Sequence, residues 1–169
     1  MKKEFFTNPN FEDFIRILNR YKVTYCITGA YAVSFHAEPR YTHDIDFYIS
    51  RRKDNSNKVA AVIKEFFGEG IDERLFEDDK VIVRMGIEPN KIELSNHLTG
   101  LNDKEIIKHR VKNKYGNTVT YYIGMNELIK NKKIVKDLPL RGNKALQDKK
   151  DYLTLLEVKR RKKLNGADK

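Results

Sequence analysis

Residues 25–50 read Y-C-I-T-G-A-Y-A-V-S-F-H-A-E-P-R-Y-T-H-D-I-D-F-Y-I-S. The spacing predicts a strand over 23–28, a tight turn at Gly29, a short helix from Ala30 to His36, a loop, and a second strand from Asp44 to Ile49. The helix ends before Pro39, because the residue preceding a proline avoids helical geometry. Asp44 and Asp46 open the second strand. Residues two apart in a strand share a face, which sets their Cα atoms roughly 6.5–7 Å apart. Two carboxylates so placed repel each other unless a cation lies between them. Hard oxygen donors on a rigid strand suit Mg²⁺, which takes its remaining oxygens from water and phosphate. Gly29 lets backbone approach a ligand closely. The helix start beyond it offers unpaired N–H groups to an anion.

The order Thr28-Gly29-Ala30, then Tyr31 to His43, then Asp44-Ile45-Asp46-Phe47 resembles the signature of the DNA polymerase β-like nucleotidyltransferase superfamily. The interior, with its Pro-Arg-x-Thr-x-Asp-x-Asp run, resembles the small bacterial branch of minimal nucleotidyltransferases and abortive-infection toxins. One position departs: Ala30 stands where relatives usually carry Gly or Ser, so phosphate contact there falls to backbone N–H groups. A second echo of the branch lies downstream in Asn131-Lys132, Arg141 and Asp148-x-x-Asp151. The resemblance is tight from Tyr25 to Ile49 and loose over the rest of Phe11 to Leu156.

The resemblance implies an α+β nucleotidyltransferase fold, a mixed β-sheet flanked by helices, with C-terminal helices. The core would span 1–124 and the helical extension 125–169, packed together as one unit. It implies transfer of a nucleoside monophosphate from an NTP, ATP among them, to an acceptor hydroxyl, with release of pyrophosphate. Two Mg²⁺ ions, or Mn²⁺ in their place, would be held by Asp44, Asp46 and a third carboxylate. Glu93, in I-E-L where relatives usually carry Asp, is the matching position, and it would also serve as general base. Nucleotide contacts would come from Thr28, Gly29, Ala30, Arg40 and Thr42. Lys132 would neutralise the leaving pyrophosphate and Asp148 would orient it, with Lys144 and Lys149 as further phosphate contacts. The alternative is a catalytically weak or inactive module of the same fold that binds nucleic acid or a partner protein. A toxin–antitoxin role fits either chemistry.

Outward from this stretch, Phe11, Phe14, Ile15, Leu18 and Tyr21 recur at helical spacing over 10–21, with Asn8 or Asn10 as cap. Val59 to Phe67 is a second amphipathic helix, closed by Gly68. Val81 to Ile87 and Lys91 to Ser95 read as a hairpin around Glu88-Pro89-Asn90. In K-I-E-L-S, Ile92 and Leu94 share one face and Glu93 takes the other. A short helix follows at 103–108, a last strand at 118–123, and a helix from Met125 to Val135. The longest helix spans 143–163, with Leu146, Tyr152, Leu153, Leu155, Leu156 and Val158 as its expected buried side.

At 169 residues the chain is long enough for a full core. It is 34% charged and 40% hydrophobic, a globular balance. A single cysteine, Cys26, excludes an internal disulfide and a cysteine zinc site. It reads as a small buried residue. His36 and His43 read as packed or loop histidines. No apolar run reaches transmembrane length, and the opening M-K-K-E-F-F-T-N-P-N lacks a signal-peptide core. The expectation is a cytoplasmic protein without a membrane partner. The net charge of +10 has two readings: a polyanionic partner, tRNA or another nucleic acid, or a solvated lysine-rich surface.

Overall fold

The computed structural model describes residues 7–167. Residues 1–6, part of the stretch read above as lacking a signal-peptide core, lie outside the described residues. Helix α1 (Pro9–Arg20) starts at Asn8, whose side chain accepts a hydrogen bond from the Asn10 N–H at 2.9 Å. Its buried stripe is Phe11, Phe14, Ile15 and Leu18. The chain continues through β1 (Tyr25–Thr28), α2 (Gly29–His36), β2 (Asp44–Ile49) and α3 (Asn55–Phe67). Gly68 ends α3 in the left-handed conformation at φ 78°. Then come β3 (Ile82–Met85), β4 (Lys91–Ser95), α4 (Asp103–His109), β5 (Val111–Tyr115), β6 (Thr118–Tyr122), α5 (Met125–Val135) and α6 (Lys144–Ala167).

The strands form one mixed sheet in the order β3-β4-β2-β1-β6-β5. β2 runs parallel to β4, and β1 parallel to β6; the other neighbours are antiparallel. Two apolar layers cover the faces. One buries Ile45, Phe47, Ile49, Ile92 and Leu94 beneath α1 and α3. Its aromatic centre is Phe14, with ring centroids 5.5 Å from Phe47 and 5.1 Å from Phe66. The other layer joins Cys26, Ala32, Val33 and Tyr48 to Ile106, Leu128, Ile129 and Leu155 of α4, α5 and α6. Burying each large apolar side chain contributes about 1.5–3 kcal/mol, so these layers fix the strand register. No helix among the described residues is long and apolar enough to cross a membrane.

Two expectations need correction. The strand β5 is absent from the sequence reading, because V-K-N-K-Y exposes all but Tyr115 at the sheet edge. Lysines on an edge strand discourage intermolecular pairing and erase the apolar alternation that marks inner strands. The buried side of α6 is also different. Leu155 is buried, and Tyr152 and Val158 pack against its cluster. Leu146, Leu153 and Leu156 are exposed instead, and Asp148 and Asp151 take the buried face.

Candidate active site

The alternation of β2 decides the site. Ile45, Phe47 and Ile49 enter the layer under α1 and α3. Asp44, Asp46 and Tyr48 therefore face the other side, toward α2 and the C-terminal helices. Glu93 has the same relation to Ile92 and Leu94 on β4. The parallel register pairs Asp46 with Glu93 and Asp44 with Lys91. The antiparallel register on the other side pairs Asp46 with Thr28. Three carboxylates from adjacent strands thus share one sheet face beside the Thr28–Gly29 turn.

Gly29 begins α2 at φ 60°, and a Cβ there would fall 2.0 Å from Asp46 Oδ2. The carboxylate occupies the space that any side chain at residue 29 would need. Ala30 is buried within the first turn of the helix. The Thr28 hydroxyl lies 3.5 Å from the Asp46 carbonyl oxygen, to which it donates. The Thr42 hydroxyl donates to Asp44 Oδ1 at 2.5 Å and fixes that carboxylate's orientation.

Burial raises the Asp46 pKa, and the neighbouring charges of Asp44 and Glu93 raise it further, to about 7. Lys132 and Lys144 pull in the opposite direction. The two lysines therefore act on the same carboxylate as the acidic pair.

Lys132 sits in a second cluster, buried between α5 and α6. Its ammonium lies 2.7 Å from Asp148 Oδ1. It lies 2.9 Å from Asp151 Oδ2, at an angle that makes an ion pair and not a hydrogen bond. Arg141 donates to Asp148 Oδ2 at 2.7 Å. Gln147 donates to Asp151 Oδ1 at 2.8 Å, and Arg40 Nε lies 3.5 Å from the same oxygen. Burial alone would raise the Asp148 pKa, but the hydrogen bonds and charges of Lys132 and Arg141 outweigh it and lower it. Lys132, Arg40 and Asp148 are thus brought together in one network. Lys149 is exposed on α6. His36 is packed, its Nε2 2.6 Å from the Ile123 carbonyl oxygen.

Arg84 was not among the expected site residues. It stands opposite Glu93 on β3, and its Nε donates to Glu93 Oε2 at 2.7 Å. Counting outward from the Glu88-Pro89 turn would have found it, four residues before Glu88 as Glu93 is four after Pro89. Among the described residues, no three acidic, imidazole or thiol side chains are gathered closely enough to hold a metal as they stand. The donor chemistry nevertheless suits a hard cation: three oxygen donors on one face, one of them, Asp46, half-buried with its proton affinity raised by desolvation and by the other two. The Arg84–Glu93 pair is 58% and 24% exposed on its two sides, so its release costs about 0–1 kcal/mol. The pair therefore adds little to the cost of turning Glu93 toward Asp46.

Neither a protein-family model nor a curated protein sequence matches the chain. Among solved structures it is similar to one described as an antigenic nucleotidyltransferase-like protein from Paracoccidioides brasiliensis. The two superpose with a TM-score of 0.59 and 13% identity, over 90% of this chain and 78% of that one. The fold is nucleotidyltransferase-like. At that identity the likeness carries the architecture alone, and any chemistry has to be argued from the side chains above. In this nucleotidyltransferase-like sheet, the three carboxylates lie on the inner strands β2 and β4, where neighbours on both sides restrain them.

Proposed function

We propose that the protein is a metal-dependent nucleotidyltransferase of the small bacterial kind. It moves a nucleoside monophosphate from an NTP to an acceptor hydroxyl, and its +10 charge favours an RNA such as tRNA as acceptor. The observation that carries this reading is the placement of Asp44, Asp46 and Glu93 on one sheet face beside Gly29.

Asp44, Asp46 and Glu93 are the residues that would hold Mg²⁺, which would neutralise phosphate charge and acidify the acceptor hydroxyl. The chain's own groups do the rest. The N–H groups at the start of α2, from Gly29 and Ala30, face an anion without needing a side chain. Lys132 and Lys144, whose charges act on Asp46, would offset the charge of the leaving pyrophosphate. The acceptor oxygen forms a bond to the α-phosphorus as the bond to pyrophosphate breaks. Its proton passes to the Glu93 carboxylate, once Glu93 has left Arg84. Thr42 keeps Asp44 in one orientation through this exchange. Positioning and charge complementarity account for the acceleration, with no covalent enzyme intermediate.

The test is incubation with each α-labelled NTP, Mg²⁺ and total RNA. Wild-type protein should label an RNA band, while Asp44→Asn and Asp46→Asn should not. Equal labelling by the Asp46→Asn variant would refute the assignment.

A second reading is favoured by the Arg84–Glu93 pair, which ties up the third carboxylate. On that reading the fold is a catalytically weak module that binds nucleic acid. It predicts RNA affinity that falls steeply between about 50 and 200 mM salt, and no rise in melting temperature with NTP and Mg²⁺ together.

A further inference from the structure

Beside the carboxylate pair lies a cavity of about 410 Å³. Tyr31 of α2, Pro39 and Tyr41 of the following loop, and Pro89 of the β3–β4 turn line it. Thr42 lines it too, and the Thr42 hydroxyl donates to Asp44. Cavity and acidic site therefore share a wall.

The two tyrosines differ in how they are held. Tyr31 packs edge-on against Phe11 and Tyr115, with centroids 6.0 and 5.4 Å away. Tyr41 is 81% exposed, yet it is braced: its ring stands edge-on to His43 at 4.7 Å, and its hydroxyl lies 3.2 Å from His43 Nδ1. A braced ring has lost part of its rotamer entropy before any ligand arrives. The far wall is also fixed. The Asn8 N–H donates to the Tyr115 hydroxyl at 2.9 Å, and the Asn8 side chain donates to Asn90 Oδ1 at 2.8 Å.

The site has a direction. Asp46 lies against the Gly29 turn that opens α2, whereas the aromatic cavity adjoins Asp44 through Thr42. A ligand that matches both ends has a polyanionic part and a flat uncharged part, joined by a short polar linker. Nucleotides have this constitution, and cavities of this size commonly hold a ligand of that bulk.

We propose that the cavity between Tyr31 and Tyr41 is a nucleobase site, which holds the base while the attached phosphate reaches the carboxylates. The direction of the phosphate rests on the transferase reading; the base contact does not. The base belongs either to the donor nucleotide or to the end of an RNA acceptor, and both are tested.

Binding is measured by calorimetry in Mg²⁺ with inorganic tripolyphosphate, with each of the four NTPs, and with a single-stranded RNA octamer beside its abasic counterpart. If the donor supplies the base, at least one NTP binds about 10-fold or more tighter than tripolyphosphate. Tyr41→Ala removes that gain and leaves tripolyphosphate binding unchanged, while Tyr41→Phe retains it. If the acceptor supplies the base, the gain and its loss in Tyr41→Ala appear for the octamer against the abasic strand. No base-dependent gain in either arm, or a gain that survives Tyr41→Ala, overturns the proposal. Failure of tripolyphosphate alone to bind counts against the transferase reading, and the RNA arm still decides the cavity.

Discussion

Replacing Asp46 by asparagine is expected to stabilise the metal-free protein while ending transfer. Burial, with the charges of Asp44 and Glu93, holds the Asp46 carboxyl at about 7 against its usual 3.8. The folded chain then keeps a proton that the unfolded chain has already released. From about pH 4 to 7 the folded state binds more protons, so stability falls as pH rises through that window. The difference of about three units corresponds to about 4 kcal/mol by pH 8. Asparagine carries no charge to bury and escapes this slope, but its amide needs partners that cost about 1–3 kcal/mol if unmet. A net gain of about 1–3 kcal/mol at pH 8 follows, or about 2–12 °C in melting temperature for a chain of this size. At about pH 4 the folded carboxyl is protonated and the unfolded one about half so, which leaves too little of the slope for a gain. Thermal melts in EDTA at pH 4, 6 and 8 measure it. Mg²⁺ should then raise the pH 8 melting temperature of wild type and not of the variant. Parallel pH profiles for the two proteins would refute the reasoning, because they would mean that Asp46 carries no buried charge.

Gly29→Ala forces a Cβ to within 2.0 Å of Asp46 Oδ2 at φ 60°, so transfer should fall by at least about 10-fold, with about 1–3 kcal/mol lost in denaturant melts. Arg84→Ala breaks only an exposed pair; stability should stay within about 1 kcal/mol, and half-maximal transfer should need less Mg²⁺ because Glu93 is released. Lys132→Ala leaves Asp148 and Asp151 buried without their shared cation, and urea unfolding should register a loss of about 3–5 kcal/mol. On α6, Leu155→Ala should cost about 2–5 kcal/mol, whereas Leu146→Lys at a 76% exposed position should cost under about 0.5 kcal/mol in the same assay.

Where burial follows hydrophobicity, the sequence is a good guide to this fold. The turn at Gly29, the strand from Asp44 and the alternation I-E-L were all readable, because apolar residues on one face dictate where the polar ones between them must point. That logic put Asp44 and Asp46 on one face and Glu93 on the face opposite Ile92 and Leu94; the place of Glu93 beside the aspartates was implied by the resemblance alone, and the parallel register of β2 with β4 pairs it with Asp46. Arg84 was within reach by counting from the hairpin turn. Tyr41 was not, since an exposed ring in a loop belongs to no periodic pattern. The strand β5 was hidden for a related reason: an edge needs lysines more than it needs apolar residues.

Helix α6 is where hydrophobicity misleads, and the reason is specific. Apolar spacing favours Leu146, Leu153 and Leu156 as the inner face, yet Asp148 and Asp151 are the residues 2% exposed. A carboxylate can be buried when its partners are in place, and those partners come from distant parts of the chain: Arg40 before β2, Lys132 in α5, and Arg141 between the last two helices. No local window contains that pairing. Its placement also bears on the site. Lys132 is held by Asp148 and Asp151 at a point from which its charge still lowers the proton affinity of Asp46. An apolar α6 face would have packed as well and left the ammonium either exposed or unpaired. The charged face fixes one cation beside the acidic strands without an arm that water could screen, so that the residues docking the last helix also tune the Asp46 carboxylate.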